Sequence, residues 1–462
     1  MTSRAEALYF ASPVWLQNVL VSAMGYKLYR RRYTGMYHEL RELVRESREW
    51  SEAKKADYQS ERLHEMVKHC RHHIPYYQKL FAEHGIHENQ ITSLNDLQKI
   101  PILDKQTVQQ RANEFRDSRQ KPYMVQHTSG STGTPLALQV NELTYKLAMA
   151  LLVDHEEYHG VPFGARRATF AGRMVQRPDN MKPPFSRFNI AENQKIYSTY
   201  HLKKSTFKYY QNDLDKFNPK EIIGYPSAIS DIANHYEQAG CKPAFEPTAI
   251  ITNSETLLEW QRDTIERVFK CPIFDYYGTA EYLTYSAQDS IERYRSSPII
   301  GISEVLDNSP SQNFGRIIAT SLTNYCMPLI RYDLRDTAEP DYRTCNDNPA
   351  GNVKYYLKRI SGRIDDYITT PDGRLLGRLD HIFKGTTGIR EGQIIQDSSD
   401  HCLIRVSLDL KADQFNEKKL ISNFRERVGD NINITVEVLS DIPRGSNGKF
   451  RSVISNKTYS KK

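Results

Sequence analysis

Between residues 120 and 330 short runs of apolar and β-branched residues alternate with longer mixed segments. Glu221-Ile222-Ile223-Gly224 and Thr248-Ala249-Ile250-Ile251-Thr252 read as buried strands, and Ser227 to Gln238 and Leu257 to Phe269 as helices between them. Such alternation is satisfied by a sheet whose faces are covered by the intervening helices, which places this region in the α/β class. Gly315 to Thr320 then reads as a strand of a more β-rich portion. The last hundred residues change character. His401 to Leu410 alternates as a strand, Asn416 to Val428 is helical up to Gly429, and Ile432 to Leu439 alternates again. A strand–helix–strand unit of this size forms a small α+β domain. At 462 residues the chain is about three times the usual single-domain length, so at least two domains are expected. We expect a helical segment over 1–60, a large domain over 61–361 and a small domain over 362–462, with the boundary at Ser361-Gly362-Arg363-Ile364-Asp365-Asp366.

Composition excludes several classes. Charged residues at 26% and hydrophobic residues at 39% suit a globular enzyme and exclude a mostly disordered chain. A net charge of +7 favours anionic ligands such as nucleotides, or an anionic membrane surface, without requiring either. No block of Lys and Arg is flanked by stacking aromatics, so nucleic acid is not expected as a partner. Six scattered cysteines without a C-x-x-C pair read as reduced thiols in a cytoplasmic protein.

The N-terminus demands a membrane test. Ala7 to Tyr26 is uncharged and is followed by Lys27, Arg30, Arg31 and Arg32. Ser12, Pro13, Gln17, Asn18 and Ser22 oppose a span, and Leu16, Leu20, Met24 and Leu28 form a stripe at helical spacing. The expectation is a helix packed on the protein body through that stripe, with peripheral attachment to an anionic membrane as the alternative. Residues 35 to 85 are helix-rich, and Pro75 closes that segment.

Five short segments carry residues suited to chemistry. His127-Thr128-Ser129-Gly130-Ser131-Thr132-Gly133-Thr134-Pro135 combines small residues with hydroxyls, as a phosphate-cradling loop needs, although no Lys follows Gly133 as in the Walker loop. Asp275-Tyr276-Tyr277-Gly278-Thr279-Ala280-Glu281 offers an aromatic face, a close approach, a hydroxyl and a carboxylate for Mg²⁺. Pro328 to Asp336 puts a carboxylate where it can accept ribose hydroxyls. Arg363 precedes a pair of aspartates at the boundary, and Lys449 sits in Pro443 to Arg451 on a Gly-flanked loop able to reach another domain's cleft. Singly, each reads equally as a turn, a surface ion pair or a basic tail.

Taken together and in this order, the five resemble the adenylate-forming superfamily. Within it the chain looks most like the phenylacetate–CoA ligase branch and its CapK-type proteins. His72-His73-Ile74-Pro75-Tyr76-Tyr77, Leu97 to Lys105 and Asn253-Ser254-Glu255-Thr256-Leu257 resemble further signatures of the branch, while Pro328 to Tyr332 and Leu379 to Gly385 point to the CapK side. The resemblance spans residues 60 to 455. It implies a large multi-sheet domain, a hinge and a small lid. Carried over residue by residue, Thr128, Ser129, Gly130, Ser131, Thr132, Gly133 and Thr134 would hold the ATP phosphates. Ser254 and Glu255 would border the adenine, with Tyr277 stacking on it beside Gly278. Thr279 would approach the α-phosphate, Glu281 would carry Mg²⁺, and Asp336 would bind the ribose hydroxyls. Arg363 would reach ribose or phosphate, Asp365 would be the hinge, and Lys449 would be the adenylation lysine.

The chain departs from the pattern in places. Ala280 replaces the usual Thr before the metal carboxylate, and Tyr332-Asp333-Leu334 replaces Tyr-Arg-Thr. Ser286 to Asp307 contains no Cys or His of the kind some relatives use for zinc, and Thr369 to Gly392 does not follow the ligase pattern. The implied activity is ATP-dependent formation of an acyl-AMP from a carboxylic acid, then transfer to CoA or to an amine or hydroxyl on a cell-surface sugar precursor. A non-catalytic nucleotide-binding subunit of a membrane polysaccharide complex is the alternative. Arg374, Arg378 and Lys384, beyond a turn at Pro371-Asp372-Gly373, are candidates to meet an anionic acceptor.

Overall fold

The computed structural model describes residues 4–127, 136–177, 179–307, 314–341, 351–363, 368–369, 375–376, 379–383, 386–398, 400–408, 415–445 and 450–455. A twelve-stranded sheet organises the large part of the chain. Strands Gln194–Tyr197, Arg167–Phe170, Glu221–Gly224, Ala249–Asn253 and Ile273–Gly278 lie parallel in that spatial order. From Ile273–Gly278 onward the neighbours run antiparallel, through Tyr285–Ser290 and Arg293–Ser296 to Tyr356–Arg363, Tyr332–Pro340, Gly315–Ser321 and Gly301–Asp307. The change of sense therefore falls on the strand that carries the Tyr277 segment. Helices Pro226–Gln238 and Glu259–Phe269 make the crossovers. Pro226 occupies the first turn of its helix, where a missing N–H costs nothing. The two predicted strands and both predicted helices are present, with ends shifted by at most two residues.

The helix-rich region divides at Ser51, which caps Glu52–His73 by accepting from Lys54 N at 3.2 Å. Pro75 does not close the region as expected. It opens a further helix, Pro75–Glu83, because a proline is tolerated in a first turn and Ile74 before it takes the extended conformation.

The N-terminal helices Arg4–Ala11 and Val14–Arg32 lie on the body, but not through the expected stripe. Leu20 and Met24 are exposed, whereas Gln17 and Gly25 are buried. The partner is the outermost strand of the large sheet, Ser186–Asn189, whose edge presents unpaired backbone groups. Asn18 Oδ1 accepts from Phe188 N at 3.0 Å. Ser22 Oγ donates to Phe188 O and accepts from Ile190 N, each at 3.2 Å. Gln17 Oε1 accepts from Arg187 Nε at 2.6 Å. A Cβ at position 25 would stand 2.0 Å from Asn189 Oδ1, so only glycine permits this approach. The polar face is the one that docks because the surface it meets is polar backbone. Among the described residues no helix is long and apolar enough to cross a membrane.

The C-terminal part has its own four-stranded sheet, ordered Asn433–Leu439, His401–Leu408, Ile389–Gln396 and Val453–Ser455, with helix Glu417–Val428. Ile394, Ile404, Val406, Leu420 and Phe424 form its separate core. The sequence reading found three of these elements and missed two: Ile389–Gln396, where Arg390-Glu391-Gly392-Gln393 breaks the apolar run, and the three-residue strand Val453–Ser455. Ile368–Thr369 pairs antiparallel with Leu375–Leu376, while the expected turn at Pro371-Asp372-Gly373 and Arg374, Arg378 and Lys384 lie outside the described residues. The described cysteines, Cys70, Cys241, Cys271, Cys326 and Cys402, are unpaired, and Cys345 lies outside the described residues.

Candidate functional site

Strand Ile273–Gly278 ends at the change of strand direction and delivers Tyr277 and Gly278 to the rim of a cleft of about 1070 Å³. An open sheet leaves space for a ligand at such a change of order, beyond the strand ends. Ser254, Glu255, Tyr277 through Glu281, and Asp336 all line this one cleft. The structure thus brings together three segments that are separated in sequence.

Asp336 reaches the cleft through an irregularity. Arg316 opposes Thr337 while Ile318 opposes Asp333, so strand Tyr332–Pro340 carries extra residues against its neighbour. Arg335 takes φ of +60° within that stretch. A bulge of this kind turns side chains away from the regular alternation, and here it accompanies Asp336 into the cleft. The Tyr277 hydroxyl donates to Asp336 Oδ2 at 2.5 Å. On the other side, Arg363 is the register partner of Asp336. Ser254 and Tyr282, which also line the cleft, have φ of +68° and +56°. Left-handed non-glycine residues cost energy and collect where a site needs them. Asn193, Asn218 and Lys270, by contrast, simply terminate helices.

Thr279 Oγ1 is buried and has no hydrogen-bond partner among the described residues. A buried hydroxyl left without a partner in a native fold needs one from a ligand or solvent. Two residues on, Glu281 lines the same cleft. A hydroxyl and a carboxylate so placed fit a Mg²⁺-bound nucleotide. Among the described residues there is no group of three or more His, Cys, Asp or Glu side chains suited to a metal, so a divalent cation here would share its coordination with the ligand.

Glu255 joins the two parts of the chain. Its carboxylate accepts from Ser227 N at 3.1 Å, in the first turn of helix Pro226–Gln238, and from Phe450 N at 2.6 Å. Burial pushes its carboxyl above the ordinary range, opposed by those hydrogen bonds and by Arg444. Arg444 contacts Glu391 at 2.6 Å and Asp231 at 3.1 Å, and its guanidinium lies 4.7 Å from the centre of the Phe450 ring. Gly445 and Phe450 both line the cleft, and the residues between them include Lys449. Lys449 itself and Thr128 through Thr134 lie outside the described residues, as do the hinge residues Asp365 and Asp366, and the Arg363 side chain is likewise not described. The strands flanking the hydroxyl-rich segment are described, with His127 paired to Ala137, and Gln126 lines the cleft.

The sequence reading missed the cations Lys105, Arg262, Lys358, Arg359 and Arg451, all of which line the cleft. Lys105 closes one of the segments that resemble the phenylacetate–CoA ligase branch, which was the available signal. Arg451 closes the Lys449 segment, and Arg262, Lys358 and Arg359 sit in a helix and a strand with no local mark. Arg444 lay within the Lys449 segment, but its partners Asp231 and Glu391 are distant in sequence and only the fold reveals them.

Comparison with known proteins agrees with this architecture. Residues 368–456 match the family described as the CapK C-terminal domain. The chain is 26% identical over 460 residues to Protein CapK of Staphylococcus aureus, covering 97% of this chain and 99% of that protein. It is 25% identical over 340 residues to the phenylacetate–coenzyme A ligase of Aromatoleum evansii, covering 67% of this chain and 70% of that enzyme. Among solved structures, 2-hydroxyisobutyryl-CoA ligase in complex with 2-HIB-AMP superposes with a TM-score of 0.64 at 18% identity, over 88% of this chain and 90% of that one. The chain thus has the fold of an adenylate-forming CoA ligase, its residues 368–456 match the CapK C-terminal domain, and over most of its length it is similar to Protein CapK and to phenylacetate–CoA ligases.

Proposed function

We propose that the protein activates a carboxylic acid with ATP, giving acyl-AMP and pyrophosphate, and then transfers the acyl group to CoA or to another acceptor. The observation that carries this reading is the convergence of Tyr277, Thr279, Glu281 and Asp336 on one cleft that also receives the flanks of the Lys449 segment. A carboxylate attacking a triphosphate brings two anions together, so the site must supply donors and positive charge at the α-phosphate and hold the groups in line. Asp336, oriented by the Tyr277 hydroxyl, would accept the ribose hydroxyls, and Ser254 and Tyr277 would flank the base. Thr279 would give its unpaired hydroxyl to the phosphate, and Thr128 through Thr134 would hold the remaining phosphates. Glu281 would hold Mg²⁺, which when bound supplies charge neutralisation on the phosphates. Lys449 would bring a cation to the reacting centre, and Glu255 holds the neighbouring backbone at Phe450. In this reading 61–361 is the adenylation domain and 362–462 the lid, turning at Asp365.

The relatives support a CoA thiol as acceptor, since the ligases among them are named for coenzyme A. A role in surface-polysaccharide assembly has the CapK likeness behind it, and there the acceptor would be an amine or hydroxyl of a sugar precursor. ATP–pyrophosphate exchange against a carboxylate library that includes amino acids and sugar acids tests the proposal. Exchange that depends on one acid class supports it. Tight ATP binding with no exchange for any acid would overturn it in favour of a nucleotide-binding subunit.

A further inference from the structure

We propose that the outward face of the N-terminal helices docks on an anionic lipid surface. The proposal is independent of the chemistry assigned to the cleft. It rests on an inversion of the usual arrangement, in which a surface helix turns its apolar side inward. In Val14–Arg32 the polar side chains Gln17, Asn18 and Ser22 are consumed by the sheet edge. Gly25 brings that face into contact. The rest of the helix surface is left to solvent and is largely apolar: Trp15, Val19, Leu20 and Met24 are 66%, 54%, 41% and 56% exposed, with Ala23 among them. Leu8 on the preceding helix and Tyr26 are 70% and 59% exposed.

Charge identifies the occupant. Between Ala7 and Gly35 there is no Asp or Glu, and Lys27 and Arg30 stand exposed at the end of the apolar face. The two other cations are engaged: Arg31 donates to Tyr123 O, and Arg32 pairs with Glu192 at 2.9 Å. The adjoining loop repeats the composition. Tyr9 donates to Val175 O at 3.0 Å, which ties the first helix to a segment where Met174 and Met181 are exposed among Arg173, Arg177 and Lys182. Its one acid, Asp179, lies 3.4 Å from Arg177. A second copy of the helices would bring no carboxylate beyond Glu6 to meet these cations, whereas lipid phosphates meet them and acyl chains receive the apolar residues. Trp15 and Tyr26 are the amphipathic aromatics that settle at headgroup depth.

The test is co-sedimentation of the full-length protein with vesicles of phosphatidylcholine alone and of phosphatidylcholine mixed with phosphatidylglycerol. Preferential pelleting with the mixed vesicles is expected, weakened by added salt because surface charges are screened. The variant W15S/V19S/M24S should lose about tenfold or more in vesicle affinity, and K27E/R30E should abolish the preference for the anionic lipid. Both should keep the wild-type melting temperature, since the substituted side chains do not pack on the body. Absence of pelleting on either vesicle overturns the proposal, as does wild-type binding by the triple variant. A wild-type dimer in solution that the triple variant renders monomeric, with no vesicle binding, would assign the face to a second copy instead.

Discussion

Tyr277 and Asp336 are 59 residues apart and share one short hydrogen bond. That contact positions the carboxylate that the proposed reaction needs at the ribose. Tyr277→Phe keeps the ring and deletes the donor, so KM for ATP should rise several-fold while the melting temperature stays near wild type; unchanged KM would detach Asp336 from nucleotide binding. Asp336→Ala should weaken ATP binding further, and Glu281→Gln should raise the Mg²⁺ concentration needed for half-maximal exchange. Wild-type ATP affinity and metal dependence in both variants would show the nucleotide site to be misplaced. Lys449→Ala should slow acyl-AMP formation by about 10²–10³, the usual effect of removing one transition-state charge contact. Transfer from supplied acyl-AMP should survive, and equal loss in both half-reactions would refute the assignment.

Two elements owe their placement to polar contacts. The strand Ser186–Asn189 ends the large sheet, and Asn18 and Ser22 complete its edge. N18A/S22A should lower stability by about 0.5–1.5 kcal/mol per lost hydrogen bond at these half-buried and exposed groups, as read from urea unfolding. The strand Ile273–Gly278 carries Asp275, which accepts from Thr252 at 2.7 Å and from Tyr294 at 2.8 Å. Burial pushes its carboxyl up to about 7, against those hydrogen bonds and the Arg262 charge. The folded state therefore binds a proton that the unfolded chain has released. Stability from this group is full below the unfolded carboxylate range and is lost as pH rises from about 4 through about 7, at most about 1.4 kcal/mol per pH unit. Asp275→Asn should flatten the slope of melting temperature against pH in that window, and an unchanged slope would place the titration elsewhere.

At the scale of the whole molecule, specific polar contacts join the large and small parts among the described residues. Arg444 bridges Asp231 on the body and Glu391 on the small sheet, and Glu255 receives the Phe450 N–H. Asp231→Asn removes one anchor without touching the cleft. If the small part is the lid, the adenylation half-reaction should slow several-fold, because Lys449 follows these residues in the chain. Transfer from supplied acyl-AMP should be spared, and limited proteolysis should cut the connecting segment faster. Identical kinetics and proteolysis would mean that the bridge is not what holds the two parts in register.

The sequence by itself determined the α/β class, the crossover helices and most of the small C-terminal unit, and it marked out the segments proposed to carry the chemistry. These are local signals: apolar periodicity, cap residues, and short motifs whose order is retained whatever the intervening loops do. Tertiary structure decided which side of each element faces inward. Helix Val14–Arg32 shows why: its periodicity marks an apolar stripe, but docking was settled by an unpaired sheet edge that no local pattern announces, and Leu20 and Met24 of the stripe were left outside while Leu16 and Leu28 are half-buried. Asp336 shows the same limit, since the bulge at Leu334 to Asp336 arises from the register against Gly315–Ser321. Arg444 shows it again, because its partners are contributed by Asp231 and Glu391 from separate units. Periodicity records which residues can share a face; the neighbour that satisfies the buried polar groups determines which face is covered.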